Sequence, residues 1–231
     1  MIETGLGNEA LFLLITLLDL AFVLLAWRFG REWVFVTIAV NIILVATFGP
    51  KLVPVFGYVT NVTNVCYATI FLATNILNEH FGKSEAYKSV WLGFLGLALF
   101  VIMSQFVLDF TAVEDGAASD AMDALFAGTP RVAAASFVAY LIAQNLAVWL
   151  YDRIRKWTGS RLIWLRGTIS PIVAQFVDSV IFFGLAFGGT VPNEALVAII
   201  LIGWAVKAVI ALIHAPFIYA SYWIAGKRTP I

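Results

Sequence analysis

The chain has 231 residues, 62% of them hydrophobic and 12% charged, with a mean hydropathy of +0.95. Soluble domains are about 45–50% apolar and about 25% charged, so an ordinary globular protein is excluded and a polytopic membrane protein is expected. Fourteen Lys plus Arg balance fourteen Asp plus Glu, so net charge points to no partner, and the single cysteine, Cys66, excludes an internal disulfide or a cysteine-based metal cluster.

A helix needs about 20 mostly apolar residues to cross the hydrocarbon core. Seven segments in chain order meet that demand: 9–27, 32–48, 58–78, 90–110, 131–151, 167–187 and 195–224. The opening MIETGLGNEA lacks a basic region, and a second apolar segment follows soon after, so the first is read as retained rather than cleaved. The second stops at Gly49-Pro50, and the length of the last implies tilt or a final interfacial turn. Trp27, Trp33, Trp91, Trp157, Trp164 and Trp223 fall near predicted span ends, as interfacial anchors do. The longest loop, 111–129, is acidic and rich in Ala and Gly, with room for a short interfacial helix. No loop is large enough for a soluble domain, so residues 1–231 read as one all-α transmembrane bundle.

Charge distribution orients that bundle. With seven spans, Arg28, Arg31, Lys83, Lys88, Arg153, Arg155, Lys156, Arg161, Arg166, Lys227 and Arg228 all fall on one side. The other side holds Glu3, Glu9, Asp109, Glu114, Asp115, Asp120, Asp123 and Glu194, with Lys51 and the boundary residue Arg131. Short basic loops stay cytoplasmic, so the N-terminus is expected outside and the C-terminus inside. No Gly-x-x-x-x-Gly-Lys-Ser/Thr phosphate loop occurs, so ATP hydrolysis by this chain alone is not expected.

Charges at membrane depth are costly and usually face a bundle interior or a water-filled cavity. Asp19, Asp178 and Lys207 are such charges. Asp178 lies about 16 Å into the sixth span and Lys207 about 18 Å from the outer end of the seventh, so the two can pair. That pair can serve as a structural ion pair or as part of a substrate or proton path, the second being the role expected to dominate. Gln175 and Asp178 share a helical face, and so do Gln175 and Ser179. Such a stripe offers both donors and acceptors to a planar heterocycle, or to a neighbouring helix. Gln144 and Asn145 sit mid-span beside a ridge of Ala135, Ala139 and Ala143, a pattern that favours close helix packing. That ridge can serve contacts within one chain or between copies, so a homo-oligomer stays open. Asn75 and Glu79 are four apart on one face. Arg131 can snorkel to the interface, pair with the acidic loop, or contact substrate. Asn41, midway along the second span, is a candidate partner for Asp19. Ser170-Pro171 and His214-Ala215-Pro216 mark candidate kinks. His80 and His214 lie far apart in sequence with no Cys/His spacing, so no metal site and no cofactor are expected.

Four segments together resemble the bacterial and archaeal queuosine-precursor transporter family, also described as vitamin-uptake-like. They are FLATNILNEHFGKSEAYKSVWLGF, RVAAASFVAYLIAQNLAVWLYDRIRK, SPIVAQFVDSVIFFGLAF and GWAVKAVIALIHAPFIY, in that order. The resemblance implies a multi-pass cell-membrane protein that imports 7-cyano- or 7-aminomethyl-7-deazaguanine for tRNA queuosine salvage, with no direct contact to nucleic acid. It also implies that Asn75, Glu79, Arg131, Gln144, Asn145, Gln175, Asp178 and Lys207 occupy polar motif positions available for substrate binding. Two positions depart from the family pattern: Asn75 stands where Asp is usual, and Gln144-Asn145-Leu146-Ala147 lacks the usual closing Asp. The first span is extra relative to six-span members. The rival readings are a membrane-embedded binding subunit of a multi-component transporter, an intramembrane enzyme and an assembly protein. No paired catalytic motif supports the enzyme reading.

Overall fold

Apolar runs with few breakers fold here as long helices. The computed structural model describes residues 5–111, 116–126, 130–159 and 161–225. Among them lie eight helices and one hairpin. In chain order these are α1 (Asn8–Phe29), α2 (Arg31–Phe48), β1 (Leu52–Val55), β2 (Tyr58–Asn61), α3 (Asn64–Phe81), α4 (Lys83–Leu108), α5 (Ala117–Phe126), α6 (Pro130–Thr158), α7 (Ile163–Phe187) and α8 (Asn193–Ala225). Single glycines with positive φ, Gly30 (130°) and Gly82 (84°), turn α1 into α2 and α3 into α4. An L side chain disfavours that backbone conformation, so glycine permits these one-residue turns.

The third expected span is corrected at its start. Residues 58–61 are not helical but form β2, which pairs antiparallel with β1, Leu52 opposite Asn61 and Val55 opposite Tyr58. Phe56 and Gly57 join the strands with φ of 51° and 81°, the positive values a tight two-residue hairpin requires. Val55 clusters with Phe12, Val65, Ala68 and Ile210, so the hairpin packs against the starts of α1 and α3 and the middle of α8. The short helix expected within the acidic loop is α5.

Six helices, α1, α2, α4, α6, α7 and α8, are long and apolar enough to cross a membrane. Large apolar residues such as Phe22, Trp33, Leu99, Phe106, Val209 and Leu212 point outward from them. The interior instead holds Asn75, Glu79, Gln144, Arg166, Gln175, Asp178, Lys207 and His214. An apolar exterior around a polar interior is the distribution a bilayer selects. The remaining long helix, α3, is the centre of the bundle. It contacts α1, α2, α4, α6, α7 and α8, and residues 68–79 are all buried.

The basic ends of the helices gather together. Arg31 reaches Glu85 at 3.4 Å, Lys83 lies 4.0 Å from Asp152, and Lys156 pairs with Asp152 at 2.8 Å. The hairpin caps the opposite end. One expected interfacial anchor is corrected: Trp27 is buried, stacks on His80 and donates from Nε1 to the Ser221 carbonyl at 2.9 Å. Trp33, Trp91, Trp157, Trp164 and Trp223 are exposed.

Candidate functional site

The site is organised by a stripe on α3. Tyr67, Phe71, Asn75 and Glu79 recur every four residues and so line one face. Around that face, α6, α7 and α8 bring two polar layers together, one near mid-bundle and one at the basic end.

In the middle layer Lys207 donates to Asp178 Oδ2 at 2.9 Å, and the Tyr67 hydroxyl donates to Asp178 Oδ1 at 2.5 Å. Lys207 Nζ also lies 3.4 Å from Ser179 Oγ and 4.9 Å from the centre of the Tyr67 ring. Both Asp178 oxygens are therefore engaged, and the cation gains a π face as well as a carboxylate. The pair neutralises itself, which lowers the cost of holding two charges at this depth.

One turn of α7 towards the basic end lies Gln175, wholly buried. Arg131 bonds to the Leu185 and Gly188 carbonyls near one end of the α6–α7 pair, and Arg166 reaches Thr158 near the other. That antiparallel register sets Gln144 level with Gln175. Their neighbours confirm the approach: Ala143, Ala147 and Ala174 pack on Phe71, with Tyr67 at the edge. Both side-chain polar atoms of Gln144 and both of Gln175 are buried and make no hydrogen bond among the described residues. An unbonded buried amide atom typically costs about 1–3 kcal/mol, so four in one layer are a strong signal of an unmet partner. Three alanines facing an aromatic ring leave that layer short of bulky side chains.

Pro171 explains what Asn75 does. Proline has no N–H for the carbonyl four residues earlier, that of Gly167. Asn75 Nδ2 points at this carbonyl from α3 at 3.4 Å. An ionised Asp at 75 could not donate to it. Helix α7 runs through Pro171 unbroken, and α8 through Pro216. The second departure, Ala147, lies in the apolar patch against Phe71.

At the basic end Glu79 is saturated. Arg166 binds it in a fork, Nε to Oε2 at 2.8 Å and Nη2 to Oε1 at 2.6 Å. Tyr151 donates to Oε2 at 2.6 Å, and Tyr222 donates to Oε1. The other Arg166 nitrogen, Nη1, donates to the Gly159 carbonyl at 2.8 Å. Beside this, Arg155 donates to the Asn78 carbonyl at 3.0 Å, and His80 Nε2 meets Ser221 Oγ at 2.9 Å. This layer joins the ends of α3, α6, α7 and α8.

Of the eight residues expected at a binding site, Gln144, Gln175, Asp178 and Lys207 come together, with Asn75 just beyond. Glu79 belongs to the separate basic-end layer. Arg131 is exposed at the opposite end, where it caps the final carbonyls of α7. Asn145 is half-buried and donates to the Leu141 carbonyl of its own helix at 2.7 Å. Sequence reasoning missed Tyr67, Tyr151, Tyr222 and Arg166. The four-residue spacing from Tyr67 to Glu79 could have flagged the first. Arg166 was grouped with the loop charges because it stands at a predicted span boundary.

Residues 61–221 match a family model described as "Putative vitamin uptake transporter". A protein of Bacillus subtilis (strain 168) named "Probable queuosine precursor transporter" is 34% identical over 216 residues, covering 93% of this chain and 94% of its own length. The "Queuosine precursor transporter" of Escherichia coli (strain K12) is 31% identical over 137 residues, 58% of each chain. A "Probable queuosine precursor transporter" of Haemophilus influenzae is 30% identical over 133 residues, 57% of this chain and 54% of its own. No solved structure matches the chain. Matched across most of its length and carrying six apolar helices around a polar interior, the chain is a multi-pass membrane protein and belongs to the vitamin uptake transporter family.

Proposed function

We propose that this chain imports a queuosine precursor, 7-cyano- or 7-aminomethyl-7-deazaguanine, and acts as a transporter and not as an enzyme. The names of its relatives support the substrate class. The carrying observation is the pair of buried glutamines, Gln144 and Gln175, whose four side-chain polar atoms lack partners. A deazaguanine presents donors and acceptors in one plane, and a primary amide can both donate and accept. The flat base stacks on Phe71, its edges read by Gln144 and Gln175, and Asp178 takes an N–H once Tyr67 or Lys207 yields.

The chain crosses the membrane seven times, α3 included, with the N-terminus outside and the basic end in the cytoplasm. Clustering of the basic helix ends supports that orientation. Substrate would then enter past the hairpin end and leave through the layer around Glu79, by alternating access. Because Lys207 already balances Asp178, the neutral 7-cyano base is preferred over the cationic aminomethyl base.

Equilibrium binding to purified protein tests this reading. Q144L and Q175L should each weaken 7-cyano-7-deazaguanine binding about tenfold or more. Unchanged affinity in both variants would remove the glutamine layer from the binding site.

A further inference from the structure

The two buried acids among the described residues have cationic partners, Asp178 with Lys207 and Glu79 with Arg166, and a third acid at membrane depth, Asp19, is half-buried. Asp19 lies midway along α1, about 16 Å from its start. Among the described residues no Lys, Arg or His forms an ion pair with it. Its surroundings are neutral. Asn41 of α2 donates from Nδ2 to Asp19 Oδ1 at 3.2 Å, and also to the Thr37 carbonyl at 3.1 Å. From α3, the Thr69 hydroxyl and the Cys66 thiol lie within hydrogen-bonding reach of the same carboxyl. On α1 itself Thr16 is occupied with the Phe12 carbonyl.

Three buried oxygens from three helices, Asp19 Oδ2, Asn41 Oδ1 and Thr69 Oγ1, make no hydrogen bond of ordinary geometry among the described residues. Asn41 is 2% exposed and Thr69 wholly buried. An ionised carboxylate at this depth needs a compensating positive charge. An all-oxygen donor set suits a hard cation, and the neighbouring thiol of Cys66 is too soft to contribute. One carboxylate balances a monovalent ion, whereas a divalent ion would leave net charge inside the bilayer. A proton would neutralise Asp19 and add a single donor, while a metal cation can draw on all three oxygens.

We propose that Asp19, Asn41 and Thr69 bind a sodium ion between α1, α2 and α3, and that its gradient drives uptake. The driving role rests on the transporter reading above; the ion site does not. Asp19 and Asn41 precede the matched residues 61–221, so this feature belongs to the N-terminal helix pair and its contact with α3. The coupling route is short. Thr69 lies on α3 between Tyr67, which holds Asp178, and Phe71, so an ion that draws α1 and α2 onto Thr69 also sets the face presented to substrate.

The test uses the full-length protein. Thermal unfolding and radioactive-sodium binding are followed in detergent with sodium added against a potassium background, and uptake is measured in liposomes with an inward sodium gradient. Wild type should show saturable, sodium-specific stabilisation and sodium-stimulated uptake. D19N should lose both. T69V, which keeps the side-chain shape, should raise the half-saturating sodium concentration about tenfold. Wild type responding to potassium as it does to sodium, or D19N and T69V responding like wild type, would overturn the site. Uptake driven by a proton gradient and indifferent to sodium would overturn the coupling while leaving the transport reading intact. Sodium binding without uptake of any deazaguanine would overturn the transport reading and leave the ion site standing.

Discussion

Arg166 and Glu79 show how differently two charges in one chain can be read. In sequence Arg166 looks like one more cytoplasmic basic residue; in the fold it is 1% exposed and forked onto Glu79. Removing one partner of a buried pair leaves the other uncompensated, at about 3–5 kcal/mol. E79Q and R166Q should therefore each lower the thermal midpoint markedly, and the double variant should regain part of the loss; an additive double variant would speak against the pair. Asp178 and Lys207 answer a different question. Their matching depth was legible from span counting alone, because rise per residue is fixed. D178N and K207M should each destabilise the protein and cut uptake about tenfold or more. The double variant D178N/K207M should recover stability but not uptake. Recovery of both would make the pair purely structural. The Tyr67 contact was not legible, because the hydroxyl partner of a carboxylate comes from another helix and leaves no spacing signal on α7.

Among the elements, α3 was the hardest to read. A hydropathy window treats residues 58–78 as one apolar run, yet the first four are a strand. Local signals for the hairpin were present: Val53 and Val55 alternate, Phe56-Gly57 makes a turn, and Val59 and Thr60 are β-branched. Period-two alternation over so few residues is swamped by the apolar run that follows. The longer helices were legible because length and apolarity alone define them. Glycines on α4 separate contact from composition. A Cβ on Gly93 would strike the Tyr140 hydroxyl and the Ile42 side chain, whereas one on Gly96 would meet only the Ala39 Cβ at 4.0 Å. The Tyr140 hydroxyl is also bonded to the Val90 carbonyl at 3.2 Å, so it cannot swing away freely. G93A should cost about 1–3 kcal/mol of stability through overpacking, and G96A should leave the unfolding midpoint close to wild type. Equal effects in the two variants would contradict the α2–α4–α6 packing.

At the scale of the whole molecule, composition alone was enough to require a lipid-embedded bundle, and the basic residues supply the orientation proposed for it. The polar layers were only half legible. Depth can be counted along one helix, but which helices face each other depends on packing, and packing separated Glu79 and Arg131 from the glutamines. Orientation is open to direct measurement. In a C66S background, E194C should react with a membrane-impermeant maleimide added outside intact cells, and K156C only after permeabilisation; the reverse pattern would invert the topology. The central claim is that this single chain moves a deazaguanine across a bilayer, and uptake into liposomes containing only this protein tests it most directly. Labelled 7-cyano-7-deazaguanine should accumulate above protein-free liposomes, exceed 7-aminomethyl-7-deazaguanine and guanine, and fall to background with D178N. Folded protein that takes up none of these bases would contradict it.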